Sequence, residues 1–192
     1  IIAETLERDG IKLRGIYERD DVHVRELEGL PLAKGWFEGW PHTGEPTTII
    51  NENGVLYNVD VENGQKTGFF LDQKYNRRAV AALAKGKRVL DCFTHTGSFA
   101  LNAARGGAER VTAVDISESA IELAKSNACL NSLDDKIEFV ASDVFDLLPS
   151  LERAGGKPYD FIILDPPAFT KSRSTIDSAA RGYKEINFRA MK

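Results

Sequence analysis

The chain has 192 residues, 25 Lys and Arg against 29 Asp and Glu, a formal net charge of −4 and 42% hydrophobic content. That is enough apolar material for a packed core, and no run of about eighteen apolar residues offers a membrane span. The N-terminus carries no basic stretch ahead of a long apolar one, so these first residues are not expected to be a signal peptide, and two cysteines suggest no disulfide framework and fit a reducing, cytoplasmic setting.

In chain order, residues 1–8 read as the tail of a helix, and the missing initiating Met leads us to expect an excerpt of a longer chain. Residues 11–17 alternate apolar and polar side chains and predict a strand kinked at Gly15. Asp20 and Asp21 can cap a short helix over 22–27, and residues 36–40, between Gly35 and Pro41, predict a short strand. Trp36 and Trp40 are expected to pack within this region or against the next. Residues 47–52 and 55–61 flank Asn53-Gly54, the turn dipeptide of a two-residue hairpin, because both central positions need positive φ. Residues 1–62 therefore predict a small α+β domain. A polar, glycine-rich loop and a helix to Ala84, with Asp72 as its N-cap, fill the linker 63–87.

From residue 88 the pattern becomes regular. Strands over 88–91, 110–115, 137–141 and 161–165 alternate with helices over 98–105, 117–130, 144–151 and 179–192. Alternation of this kind implies a parallel sheet with right-handed crossovers. The near-continuous apolar runs, such as Phe161-Ile162-Ile163-Leu164, fit strands covered on both faces. Residues 88–192 thus predict an α/β, Rossmann-like domain. Its strands end in acids: Asp91, Asp115 and Asp165, with Asp143 two residues beyond the third strand.

Ligands of open parallel sheets bind beyond the carboxyl ends of the strands, so these acids mark the candidate site. Asp115 follows Asp91 by 24 residues, a spacing at which an acid on the second strand can hold a ribose. Asp143, with the Val144 N–H, is placed for an adenine amine. A dinucleotide loop needs several glycines around a pyrophosphate; this one has an acid, Asp91, and a single glycine, Gly97, before its helix. An acid repels phosphate and suits a cationic ligand such as S-adenosylmethionine, with Asp91 near the ammonium. After the fourth strand, Asp165-Pro166-Pro167-Ala168-Phe169 forms a stiff turn with fixed acceptors and a flat ring, suited to a planar base. His95 reads as a polar loop residue, and no metal ligand set is assigned. Residues 171–192 carry six basic against two acidic side chains, a local charge of +4, which suits nucleic acid or a solvated helix face.

These residues carry a resemblance. The sequence resembles class I S-adenosylmethionine-dependent methyltransferases, and more narrowly the bacterial large-subunit ribosomal RNA 5-methylcytosine methyltransferases that carry an N-terminal PUA domain. The matching stretches are Tyr17-Glu18-Arg19-Asp20-Asp21-Val22-His23-Val24-Arg25, Lys66-Thr67-Gly68-Phe69-Phe70-Leu71-Asp72-Gln73, residues 89–99, Asp143-Val144-Phe145, residues 165–169 and Arg181-Gly182-Tyr183-Lys184-Glu185-Ile186-Asn187. The resemblance implies that Lys66, Thr67, Phe69 and Asp72 line the cofactor site, that Phe93, Gly97 and Ser98 wrap the methionine end, that Asp115 holds the ribose and that Asp143 and Val144 hold the adenine. It also implies that Asp165, Pro166, Pro167 and Phe169 position the target base of a ribosomal RNA.

Cytosine C5 methylation needs a thiolate that adds to C6. Cys92, beside the cofactor loop, and Cys129, deep in a helix, are poor candidates and read as small core residues. The family's cysteine would follow on the next strand, and its sheet has further strands, so the chain is expected to be an excerpt without turnover of its own. Methylation of an exocyclic base nitrogen, which needs no thiolate, remains open, as does a non-catalytic RNA-docking module; an oxidoreductase is opposed by the glycine pattern. An exposed edge at the fourth strand is an aggregation liability that a homodimer would cover.

Overall fold

The structure is a computed structural model and describes residues 1–170 and 173–192. The described chain divides into two compact units, residues 1–50 with 58–71 and residues 51–57 with 72–192. The sequence reading instead drew its divisions at residues 62 and 87.

In the first unit, α1 (Ile2–Arg8) precedes an antiparallel pair, β1 (Tyr17–Arg19) and β2 (Lys34–Trp36), with α2 (His23–Leu27) between them. The strand expected over 11–17 does not form. A side chain at Gly15 would lie 2.7 Å from the Trp36 ring and from His42, so the chain passes tightly under Trp36 and pairing starts only at Tyr17. Trp36 stacks on His42 with ring centroids 4.8 Å apart and takes the edge of Tyr17 at 5.3 Å. The second strand runs over 34–36 rather than 36–40, because the Trp40 N–H turns back to Phe37 O at 3.1 Å. Neither Asp20 nor Asp21 caps α2, whose N-cap is Val22. The two acids pair with Arg25 and Arg19 instead, each at 3.2 Å.

The hairpin forms as expected from β3 (Thr47–Glu52) and β4 (Val55–Asp60). Asn53 (φ +55°) and Gly54 (φ +80°) supply the two left-handed residues of its turn. Residues 51–57, the tip of this hairpin, belong to the second unit.

The second unit holds α3 (Lys74–Leu83), β5 (Arg88–Cys92), α4 (Ser98–Arg105), β6 (Arg110–Asp115), α5 (Glu118–Leu130), β7 (Ile137–Ala141), α6 (Val144–Ala154), β8 (Phe161–Leu164) and α7 (Ile176–Ala190). Its parallel sheet has the order β7-β6-β5-β8. The order reverses beside β5, and in open parallel sheets ligands bind outside the carboxyl ends of the strands at such a point. Alternate residues of β5 face opposite ways. Leu90 and Cys92 join Val114, Val144, Leu148 and Ile186 in a core under α6 and α7, while Asp91 faces α4. Gln73, not Asp72, is the N-cap of α3, because a single 3-10 turn over Leu71–Gln73 precedes that helix. Ser117 caps α5 by accepting from Ala120 N at 3.3 Å. Among the described residues, no helix is long and apolar enough to cross a membrane.

The hairpin tip is fastened within this unit by a buried ion pair. Arg77 of α3 donates through Nε to Glu52 Oε1 at 2.6 Å and through Nη2 to Glu52 Oε2 at 3.0 Å, with the side chains 1% and 6% exposed. Removing one partner strands a buried charge. Arg77→Ala should therefore cost about 3–5 kcal/mol in urea unfolding monitored by circular dichroism; a cost below ~1 kcal/mol would show that the pair does not anchor the tip.

Candidate functional site

Asp91 is the last residue but one of β5 and is 1% exposed. Its Oδ2 accepts from Thr94 Oγ1 at 2.5 Å and from the Ala100 N–H, in the first turn of α4, at 2.9 Å. Its Oδ1 is buried without a hydrogen-bond partner in the protein. Burial raises the Asp91 carboxyl from an ordinary 3.8 to about 7, against the two hydrogen bonds, with smaller contributions from Asp165 and Asp115. An orphaned carboxylate oxygen at this edge of the sheet fits a ligand cation and opposes a phosphate.

The loop after β5 is strained in a localised way. Phe93 (φ +62°) and His95 (φ +51°) are non-glycine residues in the left-handed region, a cost that the surroundings must hold in place. Thr94 N bonds to Val114 O at 2.9 Å, and His95 N to Asp115 Oδ2 at 2.9 Å, so β6 fastens the loop. Asp115 Oδ1 accepts from Ser117 N at 3.0 Å. Each carboxylate oxygen keeps acceptor capacity, so hydroxyl donors can still add. The half-buried His95 imidazole is held below its usual range by burial, with Asp115 opposing.

Gly97 is the N-cap of α4 with φ +78°, and a Cβ there would stand 3.0 Å from Ala124 Cβ on α5. Glycine is thus required by both conformation and space, and the chain turns close against α5. Three buried polar side chains hold the carbonyls of Thr96, in the loop, and of Ser98, the first residue of α4. Asn127 Nδ2 donates to Thr96 O at 3.1 Å, Asn102 Nδ2 to Ser98 O at 2.8 Å, and the Tyr57 hydroxyl to Ser98 O at 3.4 Å. Asn102 Nδ2 also donates to Tyr57 Oη at 2.7 Å.

At the end of β8, Asp165 is exposed and accepts from Gln73 Nε2 at 3.1 Å. Burial and then Asp72 push its carboxyl above the usual range, against Arg77. The following turn is clamped by Tyr183 of α7, whose hydroxyl donates to Pro167 O and accepts from Phe169 N, both at 3.3 Å. Phe169 lies against Tyr183 and Phe145, with ring centroids 4.4 and 5.5 Å away. A Cβ on Gly182 would stand 3.2 Å from the Phe169 ring, so glycine there admits that ring.

The structure therefore brings Asp72, Asp91, Phe93, Gly97, Ser98, Asp115, Asp165, Pro166, Pro167 and Phe169 into one unit, on the loops at the sheet's carboxyl edge or, for Asp72, just ahead of α3. Asp143 is the N-cap of α6 and accepts from Phe145 N at 2.8 Å, while the Val144 side chain is core at 2% exposed. Lys66, Thr67 and Phe69 belong to the first unit. There Lys66 Nζ lies 5.0 Å from the Phe70 ring centre, the Thr67 hydroxyl donates to Phe69 O at 3.4 Å and Phe69 is buried; a cofactor role for these three rests on the resemblance alone.

Cys92 is buried in the core, where burial and then Asp91 push its thiol up to about 12, which removes it as a nucleophile. Cys129 is exposed on α5 rather than a core residue. In the basic run, Arg189 is taken by Glu185 and Glu152, and Lys192 lies 2.6 Å from Glu152. Lys171 lies outside the described residues.

Sequence reasoning passed over Thr94, Tyr57, Asn102, Asn127, Gln73 and Tyr183. The two asparagines carried a signal, since a polar side chain on the apolar face of a helix must be bonded. Gln73 and Tyr183 sat inside the quoted family stretches without a role.

The model of the S-adenosylmethionine-dependent methyltransferase family matches residues 31–189. The chain is 49% identical over 179 residues to ribosomal RNA large subunit methyltransferase I of Yersinia pseudotuberculosis and of Yersinia pestis, covering 92% of this chain and 44% of each relative. It thus spans about half the length of the curated relatives it matches. Among solved structures, SMU.776, assigned as a methyltransferase and crystallised with SAH, is similar at a TM-score of 0.73 and 29% identity, over 97% of this chain and 48% of that one. A SAM-dependent methyltransferase of Agrobacterium tumefaciens is similar at 0.66 and 27%, over 86% and 50%.

Asp91 binds its proton more tightly in the folded state than in the unfolded one. The stability it contributes is present below pH 3.8 and is lost as pH rises to about 7. Asp91→Asn should therefore gain on the unsubstituted chain between pH 4 and pH 8, by up to about 4 kcal/mol, in urea unfolding at the two pH values. A difference that does not change with pH would contradict the shift.

Proposed function

The chain belongs to the S-adenosylmethionine-dependent methyltransferase family, and from that premise we propose that it forms the cofactor-binding part of an enzyme that methylates C5 of a cytosine in large-subunit ribosomal RNA. The observation that carries the reading is the orphaned Oδ1 of Asp91, buried at the carboxyl end of β5 beside a loop fastened to Asp115.

When bound, S-adenosylmethionine supplies an electrophilic methyl group. The residues of the chain do the holding. Asp91 Oδ1 takes the ammonium, an exchange that relieves the cost of a buried unpaired oxygen. Asp115 takes ribose hydroxyls, and Asp143 with the Val144 N–H takes the adenine. Gly97 lets the backbone come close to the methionine end, and Asn102, Asn127 and Tyr57 keep the loop from relaxing out of that pose. Asp165 accepts from the amino group of the target base, in a turn held by Tyr183.

The RNA substrate is supported by the name of the relatives at 49% identity. The choice of C5 rests on the resemblance. It calls for a thiolate that neither Cys92, buried in the core, nor Cys129, exposed on α5, supplies, so in this proposal the nucleophile comes from a part of the protein beyond these 192 residues.

Calorimetric titration with S-adenosylmethionine tests the reading. The chain should bind it, and Asp115→Ala should weaken binding at least about tenfold by removing two charge-assisted hydrogen bonds, in a variant shown by circular dichroism to be folded. Unchanged affinity in Asp115→Ala would place the ribose elsewhere, and no binding by the folded chain would overturn the cofactor site.

A further inference from the structure

Asp165 has a partner whose orientation is set by a second residue. Gln73 donates from Nε2 to Asp165 Oδ2 at 3.1 Å, and Asn76, in the first turn of α3, donates from Nδ2 to Gln73 Oε1 at 2.6 Å. Chemistry fixes the direction of the chain of bonds. An ionised carboxylate accepts only, so the Gln73 nitrogen faces it; the Gln73 oxygen then needs a donor on its far side, and Asn76 is one. An amide that could otherwise turn over is thereby locked with its NH2 beside the carboxylate. Gln73 is half-buried and Asp165 is exposed. Each bond uses one valence, which leaves a second N–H on Gln73 Nε2 and the Oδ1 of Asp165, a donor and an acceptor held side by side.

We propose that Gln73, oriented by Asn76, is a specificity-determining residue that joins Asp165 in reading the Watson–Crick edge of the target base. The inference rests on the base-methylation reading above and deepens it. Cytosine carries an amino donor, N4, next to a ring acceptor, N3. With N4 on Asp165 Oδ1, the free Gln73 N–H meets N3. Uracil in the same pose sets its O4 acceptor against the carboxylate and its N3–H against the Gln73 N–H, so two bonds become two repulsions. Adenine has the same amino-and-ring-nitrogen pair in N6 and N1. The discrimination is therefore between bases with and without that amino group.

The test is fluorescence anisotropy with labelled hexacytidylate and hexauridylate, in the presence of S-adenosylhomocysteine. The unsubstituted chain should prefer hexacytidylate by about tenfold, the scale of one good bidentate base contact. Gln73→Glu, which keeps the shape and exchanges the donor for an acceptor, should abolish the preference. The uncharged Gln73→Met should abolish most of it, and Asn76→Ala should reduce it by freeing the amide to turn. All three variants should keep their melting temperature and their calorimetric affinity for S-adenosylmethionine, which a merely structural role would not predict. Equal binding of the two oligonucleotides by the unsubstituted chain, including no binding of either, overturns the proposal, as does a preference that survives both substitutions at Gln73. Failure of the methyltransferase reading is a separate result, read as no calorimetric binding of S-adenosylmethionine by the unsubstituted chain.

Discussion

A carboxylate buried at the end of an inner strand is the constraint around which the second unit is arranged. Asp91 is nearly inaccessible, yet one of its oxygens has no partner in the protein. Such a group is costly in a fold whose net stability is small, and the loop that follows is built to retain it. Thr94 and the first turn of α4 occupy the other oxygen. The left-handed residues Phe93 and His95 bend the chain so that Thr94 can reach back and Gly97 can start the helix. A site that keeps an unsatisfied acceptor ready is poorer in stability and better prepared for a cationic ligand.

Side-chain amides do the work that ordinary strand pairing cannot do here. The loop after β5 leaves the sheet, so its carbonyls lose their ladder partners and must find others. Asn127 donates to Thr96 O from α5, and Asn102, one turn along α4, donates to Ser98 O at that helix's first residue. Asn131 does the same for the hairpin tip: its Oδ1 accepts from Leu56 N at 2.8 Å and its Nδ2 donates to Leu56 O at 2.7 Å, standing in for a neighbouring strand. With the Glu52–Arg77 pair, these bonds tie residues 51–57 into the unit that holds the candidate site. The hairpin is continuous in sequence, but its tip packs where its polar and buried groups are satisfied.

The other end of the site is governed by shape. Two prolines deprive the turn after β8 of two backbone donors, and the N–H of Phe169 is given to Tyr183. Tyr183 holds it from α7 through one hydroxyl that both donates and accepts, and Gly182 leaves room for Phe169 to lie against the helix. Phe169 therefore packs between Tyr183 and Phe145, and the turn is positioned by aromatic contact as much as by its own stiffness.

Patterns local in sequence survived intact. The alternation of apolar strands with helices, the Asn53-Gly54 hairpin, the Ser117 cap and the acids at the strand ends follow from periodicity and turn chemistry, which act over a few residues. Where a neighbour distant in the chain intervened, local reading failed. The strand expected over 11–17 was displaced by the Trp36 ring; the caps expected of Asp20 and Asp21 failed for a nearer reason, because Arg25 and Arg19, five and two residues away, take those carboxylates. The sequence alone determined that this is a parallel α/β domain with acids at its carboxyl edge, because burial and backbone geometry impose those patterns residue by residue. Only the tertiary structure decided that Asp91 is buried with an unpaired oxygen, that Gln73 is turned toward Asp165 by Asn76 and that Tyr183 clamps the proline turn. These depend on distances between residues up to 92 positions apart, which no local pattern encodes.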